Sequence, residues 1–135
     1  MVPLMSRTKL KEHIDAIEEA YEFMLGYAAQ GLESDEGSKT GGELRGYLEK
    51  ANTALQALAP DLRELVETDE LEPAERYEAF IEVIEGDAKT AGAAVSLVLA
   101  QPSISSQLID NLNASIHLRA LLTDLFLIDE VLNKS

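Results

Sequence analysis

The chain has 135 residues and no cysteine, and its 25 acidic against 11 basic side chains give a formal charge of −14 with both histidines neutral. That length is one domain's worth and is enough to bury a core without covalent staples, while the missing cysteines exclude disulfides, thiolate metal sites and cysteine nucleophiles. So acidic a surface disfavours nucleic acid and anionic membranes as partners and suits a basic protein.

The imbalance is uneven. Residues 1–87 hold 21 acids and 8 bases, whereas residues 88–135 hold 4 and 3. The N-terminal run MVPLMSRTKLK has no apolar stretch of the signal-peptide kind. The longest nearly apolar stretch, Ala91 to Ala100, is too short to span a bilayer, so a soluble cytoplasmic protein with no membrane partner is expected.

The first helix is expected over residues 7–30, where Leu10, Ile14, Ile17, Tyr21, Met24 and Ala28 step by four and three along one stripe. Glu12, Asp15, Glu18, Glu19 and Glu22 fill the other side and repel one another mildly. Helix-borne carboxylates without a loop or a histidine partner are a poor cation site, so no metal is assigned. Phe23 and Tyr27 widen the apolar sector, which points to two neighbouring helices.

Gly31 suits a helix stop, and the segment 31–42, GLESDEGSKTGG, is almost devoid of apolar side chains. It reads as a mobile acidic loop, replaceable by a shorter linker at a cost of under about 1 kcal/mol. Its GSKTGG order lacks the GxxxxGK[ST] spacing and a preceding strand, which removes a phosphate-loop reading. Thr40 and Glu43 have the spacing of a capping box that opens the second helix, residues 42–67. There Leu44, Leu48, Ala51, Leu55, Leu58, Leu62 and Leu65 keep register straight through Pro60, which predicts a kink near Gln56 to Pro60 rather than a break.

Pro73 suits the first position of a third helix over 73–101, with Tyr77, Ile81, Ile84, Ala88, Ala91, Val95 and Val98 on its stripe. Ala88, Gly92 and Ser96 form a row of small residues, which allows a close helix crossing or leaves room for a small ligand.

Pro102 to Leu132 is the most apolar long segment and reads as the last helix, 103–132, capped by Ser103. At 100° per residue it carries two opposed stripes: Ile104, Leu108, Leu112, Ile116, Leu122 and Phe126 on one side, and Leu118, Leu121, Leu125, Ile128 and Leu132 on the other. With the first stripe serving the core, the second is expected to be a homodimer seam, because five exposed aliphatic side chains would otherwise form a patch unusual for a soluble monomer. Arg119 falls within the first stripe and would need a carboxylate partner there.

His13 and His117 are the only histidines; Leu10 and Ala114 stand three positions before them, where a di-iron bundle needs glutamates. His117 shares a polar strip with Asp110, Asn113 and Asp124. In size and helical build the chain is similar to histidine phosphotransfer domains, which would make His117 a phosphoacceptor. In the run His117-Leu118-Arg119-Ala120-Leu121, however, the basic residue comes one position early and the glycine of those domains is missing. No Ser-His-Asp or GxSxG arrangement is visible, and Ser103, Ser105, Ser106 and Ser115 read as capping and surface residues.

The expectation is therefore a single domain, residues 1–135, folded as an all-α antiparallel four-helix bundle without cofactor. Its expected function is that of a non-enzymatic, homodimeric protein-interaction or regulatory module. Phosphotransfer through His117 is the alternative, and ligand holding beside Gly92 the third reading.

Overall fold

The computed structural model describes residues 2–133, and within them it contains five α-helices and no strand: α1 (Val2–Ala29), α2 (Lys39–Thr68), α3 (Ala74–Leu99), α4 (Ser106–Ala114) and α5 (His117–Asn133). α1 packs on α2, α2 on α3, α3 on α5, and both α4 and α5 return to α1, so the core is enclosed by three long rods and one broken rod. Long-range side-chain bonds fix the directions. Arg7, near the start of α1, donates from Nε to Asp69 Oδ2 (2.9 Å) just past α2, and from Nη1 to the Leu132 carbonyl (3.0 Å) near the end of α5. No helix among the described residues is long and apolar enough to cross a membrane.

The expected stripes of α1 to α3 face inward. Leu10, Ile14, Ile17 and Met24 meet Leu44, Leu48, Leu55, Leu58, Leu62 and Leu65, and Ile81, Ile84, Ala91 and Val95 close the other side. Burying each of the larger side chains contributes roughly 2 kcal/mol, which outweighs the mild repulsion among the outward carboxylates. α2 is helical without interruption from Lys39 to Thr68, Pro60 included.

The expected fourth helix is two helices, and this revises the bundle. Ser115 Oγ donates to the Leu112 carbonyl (2.6 Å), and Ile116 takes a left-handed backbone with φ of 62°. A serine bonded back to its own chain competes with the helical ladder, and one residue in the left-handed region turns the axis. Beyond that turn the apolar phase restarts. The two opposed stripes of a continuous rod thereby become one inward face on each of two rods: Ile109 and Leu112 on α4, then Leu118, Leu121, Leu122, Leu125, Ile128 and Leu132 on α5.

Three expectations change with it. The five side chains of the supposed dimer seam are at most 4% exposed within a single chain, so they are core and present no surface to a second copy. Ile116 and Phe126, assigned to the core stripe, are 57% and 47% exposed instead. Arg119 lies on the exposed side of α5 and needs no buried partner.

The 31–42 segment is also not the weakly held loop expected. Gly31 does end α1 with φ of 67°, but Asp35 is 7% exposed and anchors the connection to α2. Asp35 Oδ2 accepts from Arg45 Nε (2.6 Å), and Oδ1 accepts from the Ile104 N–H (2.7 Å). The same guanidinium donates to the carbonyls of Leu99 (3.1 Å) and Gln101 (2.9 Å), tying the α1–α2 connection to the α3–α4 connection. Leu32 and Ser106 exchange two further bonds, at 2.8 and 2.9 Å, and Tyr27 Oη donates to the Ile104 carbonyl (2.7 Å).

These tethers explain two shifted caps. Residues 102–105 are held against the loop, so α4 starts at Ser106 with Ser105 capping Leu108 N–H, instead of at Ser103. α2 starts earlier than expected, with Ser38 Oγ accepting from Gly41 N–H (2.9 Å) in place of the Thr40–Glu43 box.

Candidate functional site

The side chains with functional expectations are scattered. His117 is the first residue of α5, half-buried, and its side chain makes no hydrogen bond or ion pair among the described residues. His13 lies on α1, where its Nε2 sits 2.6 Å from Asp61 Oδ2 of α2 and joins the two helices. The structure does not bring the two histidines together, and among the described residues no three His, Asp or Glu side chains gather as a metal site would require.

The row of Ala88, Gly92 and Ser96 borders an open cleft of about 430 Å³ between α2 and α3. Its floor is Leu55, Ala59, Ala88 and Gly92; Gln56 and Lys89 stand at its sides, and Asn52 Nδ2 donates to Ser96 Oγ (3.2 Å) across it. Asn52 and Ser96 thus satisfy each other, and the cleft offers no deeply buried polar group that lacks a partner.

A second depression has a different character. Where the start of α3 runs beside the end of α5, a groove of about 420 Å³ is lined by Pro73, Arg76, Tyr77 and Phe80 on one side and by Leu127, Ile128 and Val131 on the other. Leu127 and Val131, one turn apart, are 56% and 40% exposed. Its origin is local. α5 needs one inward row, and Leu118, Leu121, Leu125, Ile128 and Leu132 already supply it, so Leu127 and Val131 are apolar residues beyond what the core uses. Phe80 is likewise adjacent to the buried Ile81 and only half-buried itself.

Two turns along the same α3–α5 seam sit Asp87 and Asp124. Asp87 follows Phe80 by seven residues, and Asp124 precedes Val131 by seven, so the pair lies about 10 Å from the groove's centre. Burial first, and then the neighbouring Asp87 carboxyl, push the Asp124 carboxyl up to about 7. Asp124 Oδ2 is buried without a partner, and no Lys or Arg forms an ion pair with either residue among the described residues.

Comparison with known protein families, with curated proteins and with solved structures finds no match, so the residues themselves carry the functional reading. Neither apolar stripe of the last segment marks the groove. Its signal in the sequence is the remainder: Leu127 and Val131 belong to neither stripe, yet stand at helical spacing.

Proposed function

We propose that the chain is a non-enzymatic, acidic helical module that acts by binding another protein, with the α3–α5 groove as its docking face. The observation that supports this is the exposure of Leu127 and Val131 beside Tyr77 and Phe80 on one concave surface. Large apolar side chains lining a groove are the usual anchors of protein recognition, and keeping them in water is otherwise unfavourable. Self-association was expected through Leu118 to Leu132, and that argument is gone, since those side chains are spent on the chain's own core.

The test compares proteins retained from the native cell by the unmodified chain and by Leu127→Ser. Leu127 is exposed, so the variant keeps its fold and its helical circular dichroism. A partner held by the unmodified chain and lost with Leu127→Ser is the expected result; an identical set of retained proteins would contradict the reading. Sedimentation of the same two proteins covers self-pairing, because a dimer dissociated by Leu127→Ser would assign the groove to a second copy.

A further inference from the structure

Ile116 stands where its side chain fits least. It holds the left-handed turn between α4 and α5, with φ of 62°, a region that crowds any Cβ and a β-branched one most. Its side chain is 57% exposed, so packing does little to offset that strain. As the residue entering α5 it also offers no side-chain acceptor to the N–H groups of the first turn, where a serine, aspartate or asparagine would serve. The bonds that shape the turn are local: Ile116 N–H donates to the Asn113 carbonyl (3.2 Å), and Ser115 Oγ to the Leu112 carbonyl (2.6 Å).

A straight alternative is open to the same residues. From Ser103 to Asn133 there is neither proline nor glycine, so α4 and α5 can join as one helix. Joining them relieves the left-handed backbone and gives the first N–H groups of α5 carbonyl partners one turn back. It also turns α5. At 100° per residue the row of Leu118, Leu121, Leu125 and Ile128 then lies on the opposite side of the rod from Ile109 and Leu112. With α4 still seated on α1, the apolar face of α5 leaves its own α1 and α3.

The surface shaped for that face is α1 and α3 of this same chain, which makes a second copy the partner. We infer that residues 115 and 116 are a hinge across which two copies exchange α5, each α5 seated on the other's α1 and α3. Exchange rebuilds the contacts that α5 makes in one chain. The two forms therefore differ chiefly at the hinge, where strain favours the dimer, and in the entropy of association, which favours the monomer. The bent monomer is the form at low concentration, and raising the concentration shifts the balance. This goes beyond the docking face and does not depend on it, because each α3–α5 groove is rebuilt from two chains.

The test is refolding from urea at high protein concentration, followed by sedimentation over a dilution series. Each dimer holds two hinges, so a change at the hinge counts twice in the dissociation constant. Ile116→Gly frees the bent form of its strain, about tenfold per hinge, and should raise the dissociation constant about a hundredfold. Ser115→Ala removes a bond of the turn and favours the straight helix, and should lower the constant about fivefold or more. Leu127→Ser, in the groove, should leave it unchanged. Exchange itself is read by refolding copies that carry Asp87→Cys together with copies that carry Asp124→Cys. These positions are neighbours across the α3–α5 seam, and the chain has no cysteine of its own. A short thiol-to-thiol cross-linker that joins the two kinds of copy therefore requires α5 of one on α3 of the other.

A monomer at every concentration, in the unmodified chain and in Ser115→Ala alike, overturns the proposal. So does a dimer that Ile116→Gly leaves unchanged, or one that yields no link between positions 87 and 124. A dimer that Leu127→Ser dissociates belongs to the groove and likewise overturns it, whereas loss of partner binding with Leu127→Ser and an unchanged exchange supports both readings separately.

Discussion

At Asp35 a guanidinium and a backbone N–H converge on one carboxylate that is almost out of water. Burial alone would raise its pKa, but Arg45 and the Ile104 N–H outweigh that and hold it below the usual carboxylate range. Asp35→Ala strands both donors and should cost about 3 kcal/mol, read as a shift in the urea midpoint. A change under about 1 kcal/mol would return the loop to the dispensable status the sequence suggested. Asp124 is the opposite case. Its folded pKa of about 7 lies above the ordinary value of about 3.9, so the unfolded chain releases its proton first as pH rises. The stability due to neutral Asp124 is therefore complete below about pH 4 and lost as the pH rises through about 7. Asp124→Asn, neutral throughout, should match the unmodified urea midpoint near pH 4 and exceed it near pH 8; coincident midpoints at both would refute the assignment. Neither carboxylate was legible in the sequence, because both owe their state to partners 10 to 69 residues away that no local pattern marks.

At the scale of elements, helical period made α1, α2 and α3 readable to within a few residues at most of their ends. What period cannot read is a contact that decides where a helix begins. Gly41, in the first turn of α2, lies so close to Asp35 that a Cβ would overlap its backbone carbonyl, whereas Gly42 faces open space. Gly41→Ala should therefore cost about 2 kcal/mol or more, and Gly42→Ala should stabilise by several tenths of a kcal/mol. Thermal unfolding of the two variants checks the pair, and equal effects would mean that Gly41 is not packed against Asp35 as described. The break between α4 and α5 has no proline or glycine to announce it. Its trace in the sequence was indirect: two apolar stripes out of phase on one supposed helix are what a helix interrupted by a one-residue turn leaves behind. Reading the second stripe as a seam between copies followed from assuming continuity.

For the whole molecule, the consequence is that the apolar row from Leu118 to Leu132 belongs to the core of a single chain. Leu125 is fully buried, so Leu125→Glu should abolish cooperative unfolding and native helical signal, because an unpaired carboxylate would enter an apolar core. A folded Leu125→Glu monomer would instead restore the seam to an interface. With that seam inside, the remaining apolar surface near the start of α3 and the end of α5 becomes the feature the fold leaves unexplained, and protein docking is the use proposed for it. The most direct measurement is photo-cross-linking in the native cell, with a photoreactive phenylalanine analogue placed singly at Leu127 or at Leu25, a comparably exposed leucine on α1. Docking on the α3–α5 groove predicts a discrete heterologous adduct from position 127 and none from position 25, whereas an adduct from position 25 alone, or none from either, would contradict it.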